Sequence, residues 1–455
     1  MATTSILLFN RDLRVHDHPA LKAAVEHSER VAPLFVFDEA ILKGDFARPN
    51  RVAFLIDSLK DLRRALRQRG GELFVRRGDV VEQMLSVARD CHAEALFASE
   101  DYSAYAWARQ SRLQRACKER AMSFHLFPGA ALVQPRAVEP EDGDHFKVFT
   151  PYWRKWRAQP HRSPLRAPRN MKVPAGLARK RLPAAEKIAS GQVSPDLMSG
   201  GETEARRRLS NWLRSGLEDY GDQHDDLAAE ATSRLSPHLH FGSLSPAEIA
   251  ARAGSKVGAE PFFRQLCWRD FYMQVLAATP NLPRTDYRPR GDRWRRDPGS
   301  LEAWKHGHTG VPIVDAGMRQ LAREGFMHNR ARLITASFLV KDLYIDWRLG
   351  AAHFWDLLVD GDIANNAGNW QWVAGTGNDT RPNRIFHPIR QARRFDPRGD
   401  YVRRYVEELA GIEWPQVHEP WKLGNRALKK LGYPAPIVDH DAATARFRKA
   451  RGRTA

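Results

Sequence analysis

Cysteine is scarce in this 455-residue chain: Cys91, Cys117 and Cys267 stand far apart and without metal-ligand spacing. That excludes a disulfide framework and a cysteine-built zinc site, and it fits buried free thiols in a reducing compartment. No apolar run approaches the roughly 20 residues of a membrane span. The opening MATTSILLFNRDLRV lacks the basic, long apolar and small-residue regions of a secretory signal. A soluble, cytoplasmic protein without a membrane partner is expected. Neither GxGxxG at the first helix nor GxxxxGK[ST] occurs, which excludes a typical dinucleotide or P-loop domain. Negative charge is short as well, with 54 Asp and Glu against 72 Lys and Arg, a net charge of +18. Such an excess suits a polyanion bound through counterion release at phosphates; a merely Arg-rich composition is the competing account.

What is present divides the chain. A hydrophobic content of 42% supports sizeable cores, and the length suits about two to three domains. Apolar runs of strand length at 5–9, 30–37, 72–75, 95–98 and 123–126 alternate with helical patterns at 19–27, 51–69, 80–89 and 105–120. This predicts an α/β domain over 1–128, a doubly wound parallel sheet covered by helices on both faces. Asn10-Arg11-Asp12-Leu13-Arg14 follows the first strand, where such sheets bind ligands, although a polar loop with an internal ion pair explains it equally. Residues 129–201 are rich in Pro, Arg and Ser, and 154–181 hold no Asp or Glu. They read as an interdomain linker, a solvated tether over the surface. From 202 to 455 only helical patterns persist, at 203–215, 246–253, 261–277, 313–323, 329–341 and 352–358, so an all-α domain is expected. Of 13 tryptophans, twelve lie beyond residue 150, so the two halves do different work.

The chemistry gathers in the helical part. Residues 360–377, DGDIANNAGNWQWVAGTG, hold two Asp, three Asn, two Trp and many small residues, without a Lys or Arg. Small residues let a flat ligand approach the backbone, while the carboxylates and amides accept and donate hydrogen bonds. This suits a large polar cofactor; a Trp-rich core with an Asp-Gly-Asp turn is the plainer reading. ATSRLS at 231–236 suits a phosphate at a helix entry or a simple cap. Gln265 and Trp268 lie three apart on one helix face, an amide beside an aromatic plane, as reading and stacking an exposed base requires. A buried Trp with a polar neighbour competes. FMHNRAR at 326–332 offers polar groups to a flavin ring and phosphate.

TSRLSP, WRDFY, MHNR, SFLVKDLYIDW and DGD…NN..GNWQW, in this order behind an α/β domain, resemble the photolyase/cryptochrome family over essentially the whole chain. MHNR followed by NWQW looks most like the bacterial class I cyclobutane pyrimidine dimer photolyases; the second His of the (6-4) enzymes is replaced by Asn329. The resemblance implies FAD, held by Tyr220, Thr232, Ser233, Arg234, Leu235 and Ser236 on the phosphate side. Arg269, Asn329, Arg332, Asp360, Asp362 and Asn366 would surround the ring system, with Asn366 facing flavin N5 and Asp342 paired with Arg332. Trp370, Trp347 and Trp294 match the family's electron-transfer chain. Gln265, Trp268, Asn329, Arg330 and Trp372 would meet UV-damaged DNA, with Trp268 and Trp372 flanking a flipped dimer. An antenna chromophore is implied in the N-terminal domain, 8-hydroxy-5-deazaflavin rather than methenyltetrahydrofolate, at Asp101. The implied activity is light-driven splitting of cyclobutane dimers by a monomer. Gln265, where a Glu is common, keeps a (6-4) photolyase or a cryptochrome-type blue-light receptor as alternatives. Phe326 and His387 also depart from the usual residues, and both are expected to be tolerated.

Overall fold

The computed structural model describes residues 2–452. Five strands, β1 (Ala2–Phe9), β2 (Ser28–Asp38), β3 (Phe74–Gly78), β4 (Ala95–Ser99) and β5 (Ser123–Phe127), form a parallel sheet in the order β3-β2-β1-β4-β5. The crossovers are α1 (Pro19–His27), α2 (Pro49–Arg67), α3 (Val80–Cys91) and α4 (Ala104–Glu119). Ile6 registers with Ala32 on one side and Leu96 on the other. Ile6 and Leu8 pack with Met84 and Val87 of α3 and Leu113 and Cys117 of α4. Leu7 and Phe9, turned the opposite way by the pleat, are buried too. Burial on both faces explains why these strands read as continuous apolar runs. The fold class is that expected from the sequence, an α/β domain followed by helices.

By its contacts the chain forms two compact units. One comprises Met1–Val193, Met198–Glu218 and Ser233–Pro280; the other comprises Ser194–Leu197, Asp219–Thr232 and Asn281–Ala455. Beyond the sheet, the first unit contains α5 (Phe149–Arg157), α6 (Glu202–Ser215), α7 (Ser236–Phe241), α8 (Pro246–Ala253) and α9 (Ala259–Ala278). A buried polar hub in the loop after β1 ties these helices to the sheet. Arg14 donates from Nη1 to the Gly242 carbonyl (2.9 Å) and from Nε to the Asp17 carbonyl (3.1 Å). Asp17 accepts from Leu165 N–H (2.9 Å), Arg162 Nη2 (2.9 Å) and the Ser245 hydroxyl. Glu202 accepts from Val15 N–H (2.8 Å) and His16 N–H (2.9 Å). Burial pulls the Asp17 carboxyl upward, but the Arg162 and Ser245 hydrogen bonds outweigh it and hold the group below its usual range. Gly242 is required here: at φ 67° a Cβ would stand 2.0 Å from the Arg11 carbonyl oxygen. The Asn10–Arg14 loop is therefore a structural junction.

Residues 129–193 are not a solvated tether. Phe149, Tyr152, Trp153 and Trp156 recur at i, i+3, i+4 and i+7 and are buried on one face of α5. Further along, Met171 N–H donates to the Arg69 carbonyl (2.8 Å) and Val31 N–H to the Lys172 carbonyl (2.8 Å). Pro and Arg dominate the composition and hide this aromatic period.

The second unit is helical: α10 (Pro298–Lys305), α11 (Pro312–Glu324), α12 (Asn329–Ser337), α13 (Trp347–Leu357), α14 (Ile363–Ala374), α15 (Pro388–Phe395), α16 (Asp400–Tyr405), α17 (Asn425–Leu431) and α18 (His440–Ala450). One apolar cluster runs through it, with Trp304, Trp347 and Trp370 at its centre and Trp294 and Trp372 packed on its edge. Among the described residues no helix is long and apolar enough to cross a membrane.

Candidate functional site

In the second unit the site is built on α14. Asp362 is its N-cap, accepting from Asn365 N–H (2.9 Å) and Asn365 Nδ2 (2.8 Å), and Gly375 closes the helix in the left-handed conformation. One Asp362 oxygen is thus spent on the backbone, which sets the entry angle of the helix. Asn366 donates from Nδ2 to the Ala351 carbonyl (3.0 Å). That bond fixes the amide plane, and Oδ1 accepts no hydrogen bond among the described residues. Asp360 accepts from Arg332 Nη2 through both oxygens (3.1 and 2.9 Å). Arg332 also donates from Nε to the Met327 carbonyl (2.8 Å), and its guanidinium lies over the Phe326 ring at 5.2 Å. Asn329 opens α12 with its side chain exposed.

The expected Arg332–Asp342 pair does not form. Ten residues of helix separate them by about 15 Å, and α12 ends in a π-turn over Phe338–Asp342. Asp342 instead meets the His440 imidazole of α18. Burial raises the Asp342 carboxyl; it would lower His440, but the Asp342 hydrogen bond and charge carry that imidazole above its usual value. His387 lies 4.1 Å from the His440 ring and is pushed down, first by burial and then by His440. Arg330 is committed to Asp225 in a two-point pair (3.1 and 2.5 Å) with its guanidinium 4.2 Å over Phe395. Its charge is neutralised within the unit rather than offered outward.

The tryptophans sort by burial. Trp370 packs edge-on against Phe354 (4.9 Å) and Trp304 (6.1 Å), and a Cβ on Gly350 would strike its ring at 2.2 Å. Trp347 is fully buried and donates from Nε1 to Asp286 (2.9 Å); Trp294 is half-buried, 5.1 Å from Tyr344. Trp372 is half-buried with Arg384 at 5.5 Å. Two residues escaped the sequence reading. Trp304 is fully buried, its Nε1 on the Thr335 carbonyl (3.0 Å). Gln371, between the two site tryptophans, accepts from Tyr287 N–H (2.7 Å) and donates to the Leu282 (2.7 Å) and Thr285 (3.0 Å) carbonyls. A Gln flanked by Trp in a helix otherwise free of long polar residues was the available signal. Tyr220 is buried and Thr232 half-buried in this unit.

In the first unit, Arg234 takes a positive φ of 50°, and Leu235 is buried. Ser233 and Arg234 are half-buried, and Ser236 is exposed at the start of α7, which has only six residues. Arg269 donates from Nη1 to the Ala130 carbonyl (2.5 Å) and from Nη2 to the Leu239 carbonyl (3.2 Å). Gln265 is exposed, and Trp268 is half-buried with one face flat on Phe149, centroids 3.7 Å apart and planes 2° from parallel. Asp101 follows β4 at the point where strand order reverses; it accepts from Tyr102 N–H (2.8 Å) and Arg11 Nη1 (3.4 Å).

Residues 5–170 match the family model for DNA photolyase, and 262–453 that for the FAD binding domain of DNA photolyase. The chain is 50% identical to a deoxyribodipyrimidine photo-lyase of Streptomyces griseus over 99% of both chains. It is 37% identical to one of Halobacterium salinarum, over 97% of this chain and 98% of that protein. Among solved structures, a bacterial class III photolyase from Agrobacterium tumefaciens superposes with a TM-score of 0.93 at 34% identity, covering 99% of this chain and 98% of that one. A Synechocystis cryptochrome gives 0.89 at 28%, covering 98% and 99%.

Proposed function

The chain belongs to the DNA photolyase family, and from that premise we propose that it is a deoxyribodipyrimidine photo-lyase that binds FAD and splits cyclobutane pyrimidine dimers in UV-damaged DNA. When bound and reduced, the flavin would supply light absorption and a transferable electron for opening the cyclobutane ring.

The residues present suit that group. The observation that carries the reading is α14 itself: Asn366, its amide pinned by Ala351 with Oδ1 left over, sits one turn before Trp370. A fixed acceptor suits a ring N–H, and the neighbouring indole can pass a hole outward through the tryptophan cluster towards half-buried Trp294. Arg332, held by Asp360 and Met327, presents a guanidinium of set orientation, with Asn329 and Asp362 as further polar partners. Tyr220, Thr232, Ser233, Arg234 and Ser236 are assigned to the phosphates. Arg269, already bound to two carbonyls, positions its helix. Trp268 and Trp372 offer indole planes to the unstacked pyrimidines and Gln265 a neutral amide, in the manner of the enzymes that extrude their target base, among which the photolyases are a standard example. Asp101 is assigned to the antenna chromophore, an 8-hydroxy-5-deazaflavin, and the protein to the cytoplasm as a monomer.

The test is a repair assay on photoreduced protein with oligonucleotides carrying a single cyclobutane dimer or a single (6-4) product. Blue-light-dependent loss of the cyclobutane lesion alone is expected. Splitting of neither lesion would sink the enzyme reading. Loss of the (6-4) product alone would move the assignment to that chemistry, with Gln265 as the first residue to examine.

A further inference from the structure

We infer that the exposed face of α5 is a binding surface for the DNA phosphate backbone that continues the base-reading face of α9; this rests on the repair function proposed above. The helix has two unlike sides. Phe149, Tyr152, Trp153 and Trp156 are buried, and Arg154, Lys155 and Arg157 are exposed. Residues 154–181 contain ten Lys and Arg and no Asp or Glu. A basic face that merely keeps a helix in solution is ordinarily interleaved with acids one turn away, which relieve its self-repulsion. Among the described residues neither Arg154 nor Lys155 meets a carboxylate, and Arg157 has only Glu260 of α9, at 3.3 Å with both side chains more than half exposed. An exposed pair of this kind neutralises little. The repulsion is therefore left for a polyanion to relieve.

Position decides which polyanion. The first turn of α5 supplies Phe149, whose ring lies flat against Trp268 at 3.7 Å. Arg264 of α9 spans the two helices, its guanidinium 5.6 Å from the Phe149 ring and 5.4 Å from that of Trp153. Gln265, exposed, is the next residue. Stacking plane, amide and cationic row thus share one packed pair of helices, the combination that single-stranded or flipped nucleotides require: aromatic faces for bases and a basic track for the backbone. Phe149 is in this scheme a positioning residue, holding the Trp268 plane from behind.

The test uses the full-length, FAD-loaded protein and a salt series of binding isotherms, on a duplex with one thymine dimer and on the same duplex undamaged. Arg154→Ala/Lys155→Ala should flatten the slope of log affinity against log salt by about 1.4–1.8 on both duplexes, from two lost phosphate contacts. Arg448→Ala/Lys449→Ala, which removes the same charge from α18, should leave the slope alone. An unaltered slope in the first variant, or equal flattening in the second, overturns the inference. Phe149→Leu should weaken dimer-specific binding about tenfold without changing the slope, and Phe149→Tyr should restore it; full affinity in Phe149→Leu removes the positioning role. If wild type fails to discriminate the dimer at all, the repair reading fails, while the slopes on undamaged duplex still score α5.

Discussion

At Asp270, three N–H donors converge on one carboxylate oxygen: Leu132 N–H (3.0 Å), Val133 N–H (3.0 Å) and Trp156 Nε1 (2.9 Å). Burial nonetheless dominates and raises the carboxyl to about 6, against the opposing pull of Arg269. The native state then holds a proton that the unfolded chain releases near pH 4. Between those values the native chain binds more protons, so this group's contribution to stability is full below pH 4 and is lost as pH rises through 6. Asp270→Asn keeps an oxygen acceptor and removes the titration. Denaturant unfolding should show the variant gaining on wild type from pH 5 to pH 7, and a difference independent of pH would refute the raised value. Asp270→Ala, stranding all three donors, should cost on the order of 3 kcal/mol. Trp370→Phe should slow photoreduction of the flavin while leaving repair by chemically pre-reduced enzyme near the wild-type rate; normal photoreduction would take Trp370 out of the relay. Type and spacing alone pointed to Gln265 and Trp268 on one helix face; the roles expected of Asn366 and Trp370 came only with the family resemblance. Pairings were not legible: Asp342 meets His440 and Arg332 meets Asp360, contacts 98 and 28 residues apart that no local period encodes.

Elements whose buried side had a clean period were visible from the sequence, among them Pro19–His27 and Pro246–Ala253, which begin and end where expected. Those that broke the period were not. The helix expected over 329–341 divides into α12 and a π-turn, a one-residue widening with no sequence signature of its own. α5 was masked by flanking Pro and Arg. The irregular stretch between α9 and α10 has no period at all, yet Gln371 fastens it at three backbone groups, and it carries Trp294 and Asp286, the partner of Trp347 Nε1. Gln371→Leu should leave those groups unsatisfied at a cost of roughly 2–4 kcal/mol and speed amide exchange at Tyr287 while strand β1 keeps its protection. Slow exchange at Tyr287 in that variant would show that the stretch is held by something else.

Across the whole molecule, fold class was read correctly because each half declares one period, strand–helix alternation first and helices alone afterwards. The grouping of the helices was beyond that reading. α6 through α9 look like the start of the helical half, but Glu202, Gly242 and Ser245 bind the loop after β1. The forces that assign them are buried hydrogen bonds between residues near 15 and residues near 200–245, and composition says nothing of such distances. This junction also sets a timetable for synthesis. Val15, Arg14 and Asp17 leave the ribosome long before their partners, the last of which is Ser245. At about 5–20 residues per second the wait is roughly 10–50 s. Arg162 and Leu165, two partners of the Asp17 carboxylate, are made partway through that interval, and Gly242 and Ser245 only at its end. The junction of the first unit is therefore completed only after more than half of the chain has been made.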